Sequence, residues 1–292
     1  MFIDRLIEQI LSKKSPLCIG LDPRIESLPP LLRQAAESGR IREAIAKFNR
    51  GIVDAVRDIV PTVKLQIAFY ELYGADGISA FLESIEYAKE SGLMVIADIK
   101  RSDIGDVAKA YADRYLGDLP IDAVTINPYM GRDTIYPFLR YVEEMGKGIF
   151  VLLKTSNKSS KDIQDLIIEG KPLHHKVGKM IEDIGKNYTG TYGYSSVGAV
   201  VGATFPEELK TLRSLLKNTF FLIPGFGVQG GKAEDASYGF DEEGKGALVN
   251  SSRAIIYAFR EEDDNPWEAI RSAAVSARNA LNMEISKHGA LS

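Results

Sequence analysis

Val95-Ile96-Ala97-Asp98-Ile99-Lys100-Arg101-Ser102-Asp103 begins as an apolar run that reads as a buried strand and ends in charged groups for which a buried strand has no structural use. Side chains alternate along a strand, so Asp98 and Lys100 project to one side, with Asp103 following in the loop or next helix. The stretch is a charge cluster at the C-terminal end of a strand. Taken alone, such an Asp-x-Lys reads more readily as an ion pair tying a loop to its barrel or sheet. The surrounding chain decides between a tie and a site.

Outward from this stretch the pattern repeats. Apolar runs at 17–21, 63–67, 93–98, 123–127 and 148–153 alternate with segments at 2–13, 41–60, 77–90, 106–115 and 134–144 whose apolar residues recur at helical spacing. Such alternation calls for parallel strands joined by right-handed crossovers. Residues 158–196 break the rhythm with predicted helices at 161–169 and 174–186 and a Gly/Tyr/Ser-rich stretch at 188–196. They read as an insertion between strands 5 and 6. The pattern resumes with strands at 197–201, 220–223 and 246–249, Thr204 as an expected helix cap, and helices at 253–260 and 267–287.

Eight units in one chain predict an α/β fold, a closed (β/α)8 TIM barrel, with residues 1–292 as a single domain because no repeat or linker divides them. In such a barrel the loops after the strands form one rim. Asp22, Lys64, Asp98, Lys100, Thr125, Ser156 and Arg253 are therefore expected at one mouth.

Composition narrows the classes. Of 292 residues 45% are hydrophobic and 26% charged, and the net charge of -4 offers no basic footprint for nucleic acid. Cys18 is the only cysteine, which excludes an internal disulfide and a cysteine-built zinc site and suits a reducing cytosol. No apolar run reaches the ~18 residues of a membrane span. The expectation is a soluble cytoplasmic protein.

Pro224-Gly225-Phe226-Gly227-Val228-Gln229-Gly230-Gly231 follows the seventh strand, and Asn250-Ser251-Ser252-Arg253 follows the eighth. Glycines, Gly227 among them, let backbone amides approach an anion, and Arg253 supplies a cationic fork where barrels commonly hold phosphate. The Gly-x-Gly lacks the spacing and acidic partner of a dinucleotide fingerprint. Two carboxylates beside Lys100 favour its ammonium by about 4 kcal/mol per close pair at an effective dielectric of 20, so it suits proton donation better than attack on a carbonyl. Lys64 on the neighbouring strand would extend an alternating Lys-Asp-Lys-Asp row. His174, His175 and His288 are read as surface residues, and no metal is expected from them. Tyr188, Tyr192 and Tyr194 either pack a loop or cover a ligand.

The run from Gly20-Leu21-Asp22-Pro23-Arg24 to Asn250-Ser251-Ser252-Arg253-Ala254-Ile255, with Asp98-x-Lys100-x-x-Asp103-Ile104 at its centre, resembles the orotidine 5'-phosphate decarboxylase family in its longer-chain bacterial branch. The resemblance implies a homodimeric barrel that converts orotidine 5'-phosphate (OMP) to UMP and carbon dioxide without metal or organic cofactor. By position, Lys64, Asp98, Lys100 and Asp103 would form the charged row, with Asp103 reaching the partner's site. Asp22 and Lys64 would bind the ribose, with Thr125 near it from across the interface. Ser156 would contact the pyrimidine, and Gln229 and Arg253 the phosphate. Lys100 would protonate C6, with Asp98 near the departing carboxylate. Metal-dependent sugar-phosphate decarboxylases or aldolases share Asp-x-Lys-x-x-Asp but place an acidic ligand where this chain has Lys64, which would repel a cation. A non-catalytic phosphate-ligand sensor would have no use for Lys100 between two aspartates.

Overall fold

The structure is a computed structural model and describes residues 1–227 and 231–287. Eight strands form a closed barrel: β1 (Leu17–Gly20), β2 (Thr62–Gln66), β3 (Met94–Arg101), β4 (Ala123–Ile126), β5 (Gly148–Lys154), β6 (Ser195–Val201), β7 (Thr219–Pro224) and β8 (Ala247–Ser251). Each pairs in parallel with its sequence neighbours, and β1 closes on β8 through Leu17–Val249, Cys18–Asn250 and Ile19–Ser251. The strands are apolar almost throughout because one face meets the barrel interior and the other the surrounding helices.

Two apolar clusters follow from that alternation. Inward residues such as Cys18, Ile96, Phe150, Phe220 and Leu248 pack together with Phe2, Ile3, Leu6 and Ile7 of helix Phe2–Lys13, which plugs the N-terminal end of the barrel. Gly148 makes room for the plug, since a Cβ there would lie 2.2 Å from the Phe2 ring. Outward residues such as Ile19, Val63, Val95 and Val249 join the helices in the larger cluster. The opposite, C-terminal end stays free for polar groups.

The structure departs from the expected elements in places. The region read as one helix at 161–169 is a short helix, Lys161–Gln164, followed by an antiparallel hairpin pairing Ile167–Ile168 with Lys171–Pro172. β-branched Ile167 and Ile168 favour extended backbone, and the turn takes Glu169 and Gly170 through positive φ. Helices Pro30–Glu37, Ala68–Glu71 and Ala233–Ser237 were not expected. Thr204 caps no helix: its hydroxyl donates to the Ser156 carbonyl at 3.0 Å, and the helix starts at Pro206. Tyr194 precedes β6 at the plugged end and packs edge-on to Phe220, so it fills a core rather than covering the mouth.

Candidate active site

The C-terminal ends of the strands surround a cavity of about 310 Å³. Its lining includes Asp22 after β1, Lys64 in β2, Asp98 and Lys100 in β3, Ser156 after β5 and Arg253 after β8. Six of the residues expected at one mouth thus meet there. Arg253 opens the short helix Arg253–Ile256, where its backbone follows directly from the eighth strand.

At the centre Asp98, 7% exposed, is held from three sides. Lys64 Nζ donates to its Oδ2 at 3.0 Å, and Lys100 Nζ and Thr125 Oγ1 donate to its Oδ1 at 2.5 and 2.8 Å. Burial alone would push the Asp98 carboxyl up, but Lys64 and Lys100 outweigh it and hold the group well below the usual carboxylate range. Burial would likewise discharge Lys64, 4% exposed, yet Asp98 and Asp22 raise its ammonium above the ordinary lysine value. Lys100 differs from Lys64 in exposure. Its side chain is 41% exposed and lines the cavity, so its ammonium is open to a ligand while tethered to Asp98.

The backbone brings Lys100 there by an irregularity that simple alternation does not include. Lys100 has φ 45°, and the register between β3 and β4 shifts between Ala97 and Arg101. A left-handed lysine costs on the order of 1–3 kcal/mol, a strain typical of functional positions. Thr125 stabilises the bulge by accepting from the Lys100 amide at 3.0 Å.

The placement of Thr125 corrects the expectation of a residue reaching across an interface. It is 1% exposed within its own barrel, with its hydroxyl committed to Asp98 and Lys100. Asp103 makes no hydrogen bond or ion pair with Lys64, Asp98 or Lys100 of its own chain. It is half-buried, accepts from the Ile104 amide at 2.9 Å, and lies outside the cavity lining. Within one chain the row has three members, Lys64, Asp98 and Lys100.

On the other side, Pro224, Gly225 and Phe226 line the cavity, while Gly227, at φ 97°, sits beside Ala254. Gln229 lies outside the described residues, as does His288. His174 corrects another expectation: it is 3% exposed and bonded to the Gln164 carbonyl rather than lying on the surface. Asn250 of β8 and Ser252 just after it line the cavity as well, and so do Arg24, Gln66 and Phe69, to which the sequence assigns no individual role. Gln66 was legible in principle, two residues beyond Lys64 on the same strand face. Arg24 stacks over Phe69 at 5.2 Å, a contact that no spacing announces. Among the described residues of the lining, Arg24, Lys64, Lys100 and Arg253 stand against Asp22 and Asp98, so cations outnumber anions four to two, which suits an anionic ligand.

Comparison with known proteins shows the family. Residues 15–269 match the family described as "Orotidine 5'-phosphate decarboxylase / HUMPS family". The orotidine 5'-phosphate decarboxylase of Caldicellulosiruptor saccharolyticus is 43% identical, over 98% of this chain and 99% of its own length. That of Clostridium acetobutylicum is 44% identical over 96% and 99%. Among solved structures, the OMP decarboxylase of Leishmania donovani superposes with a TM-score of 0.77 at 32% identity, over 98% of both chains. The UMP synthase of the same organism gives 0.76 at 33%, with 96% of this chain covering 56% of that longer one. A family match over most of the sequence, near full-length relatives and a shared barrel agree: the chain belongs to the orotidine 5'-phosphate decarboxylase family.

Proposed function

We propose that this protein is a cytoplasmic OMP decarboxylase of pyrimidine biosynthesis that needs neither metal nor organic cofactor, with Lys100 as proton donor to C6. The observation that carries this reading is the contrast within the row. Lys64 and Asp98 are buried and mutually neutralised, and Lys100 presents an ammonium to the cavity.

In the proposed reaction the bond between C6 and the carboxylate breaks, and its electron pair remains on C6. The Lys100 ammonium stabilises that charge and transfers a proton to C6, forming UMP as carbon dioxide leaves. Solvent then reprotonates the lysine. Asp98 holds Lys100 in place and would sit near the departing carboxylate. Asp22 and Lys64 would bind ribose hydroxyls, Ser156 the pyrimidine, and Arg253, Gln229 and the Gly227 loop the phosphate. The surplus of cations supports a ligand that carries both phosphate and carboxylate. We take residues 1–292 as one barrel unit, with the segment read as an insertion at about 158–196 ending where β6 begins at Ser195, working as a homodimer in which Asp103 enters the partner's cavity.

Loss of the orotate absorbance tests the reading, measured with purified protein in excess EDTA beside Lys100→Ala. Turnover by the wild type with a loss of about 10²–10⁴-fold in the variant is expected. Turnover only on adding Mg²⁺ would overturn it.

A further inference from the structure

We propose that Lys154, Asp165, His174 and Gln164, all outside the cavity, form a positioning device that fixes Ser156 at its edge; this rests on Ser156 meeting the pyrimidine. Lys154 ends β5, two residues before Ser156. Its ammonium is wholly buried, paired with Asp165 Oδ1 at 2.6 Å and set over the Phe205 ring at 4.7 Å. A buried ammonium is tolerated only when its partner is held in place, so the pair fixes where Asp165 must lie.

Asp165 Oδ1 is also 3.1 Å from His174 Nδ1, which lies 2.8 Å from the Gln164 carbonyl oxygen. Two acceptors face this nitrogen, so it carries the hydrogen. The helix Lys161–Gln164 is thereby pinned at its C-terminal end to the buried cluster.

Gln164 transmits the constraint. Its Oε1 accepts from the Thr155 amide at 2.9 Å, and its Nε2 donates to Thr155 Oγ1 at 2.8 Å. From the other side the Thr204 hydroxyl donates to the Ser156 carbonyl, and a Cβ on Gly202 would lie 2.9 Å from the Ser156 backbone. Ser156 is held between two fixed walls. None of Lys154, Gln164, Asp165 and His174 lines the cavity. A connection that only had to cross the surface would not need a buried lysine, a buried histidine and an amide bonded to both the backbone N–H and the side-chain hydroxyl of one residue.

The test is a double-mutant cycle on OMP turnover with Gln164→Ala and Ser156→Ala, accompanied by amide hydrogen exchange at Thr155. Gln164→Ala is expected to lower kcat/KM about 10- to 100-fold through misplacement of Ser156, with little further effect once Ser156 is alanine. The Thr155 amide should exchange faster in the variant, while Val151 in the barrel strand stays protected. Asp165→Asn should repeat the pattern more weakly. Losses that simply multiply in the double variant, an unchanged kcat/KM or unchanged exchange at Thr155 would overturn the device. Absence of turnover in the wild type would overturn the parent reading instead, and the exchange of Thr155 then decides the positioning by itself.

Discussion

At Lys64 and Asp98 two large effects oppose each other: the cost of taking each charge out of water and the attraction between them. Both folded groups favour their charged forms. Asp98 is lowered from its ordinary 3.8, so its stabilisation is complete above that value and is lost as pH falls through the folded pKa. Lys64 is raised from 10.5, so its contribution is complete below that value and is lost only as pH rises through the folded pKa. Lys64→Met leaves the buried carboxylate with Lys100 as its one cationic partner beside the Thr125 hydroxyl and should cost about 3 kcal/mol in urea unfolding at about pH 7. The gap to wild type should narrow as pH falls below about 4, because protons then favour the unfolded wild type. A gap constant down to about pH 2 would assign the loss to packing rather than charge. The charges of this row were legible because ionisable residues interrupt apolar runs. The left-handed turn at Lys100 was not, since it depends on the Thr125 hydroxyl contributed by the next strand.

Element by element, helices Phe2–Lys13 and Pro266–Ser286 were legible almost to the residue, because several turns of apolar spacing accumulate a signal. Ala68–Glu71 and Ala233–Ser237 span about one turn and carry no period, so packing rather than pattern defines them. Ala68–Glu71 matters to the site because it sets Phe69 in the cavity and buries Tyr70. Its contact with helix Gly74–Glu90 depends on Gly77, where a Cβ would lie 2.0 Å from the Tyr70 carbonyl oxygen. Helix propensity alone predicts that Gly77→Ala stabilises by about 1 kcal/mol. Here the obstructing atom is backbone and cannot swing aside, so overpacking of about 1–3 kcal/mol should outweigh that gain and lower the Tm by about 1–3 °C. A raised Tm would show that the two helices slide apart without cost.

For the whole molecule, the eightfold alternation made the barrel legible, whereas its plug by helix Phe2–Lys13 and any surface that meets a second copy depend on contacts distant in sequence. Leu72, Ile104, Val107, Tyr129 and Met130 are exposed and follow β2, β3 and β4, three neighbours in the barrel. These side chains are assigned to the interface of the proposed homodimer, with Ile104 directly following Asp103 in the chain. In the proposed dimer, Ile104→Glu would place a charge in that interface and should give a monomer by sedimentation velocity, with turnover lost because no partner supplies Asp103. Subunit mixing separates this from simple damage to the fold. Lys100→Ala and Asp103→Ala homodimers should each be nearly inactive. A heterodimer of the two, purified by different tags, contains one cavity with both an intact Lys100 and an intact Asp103 from the partner. It should recover about half the wild-type activity, as two independent sites related by twofold symmetry require. A heterodimer no more active than its parents would place the role of Asp103 within its own chain and remove the reason for a shared site.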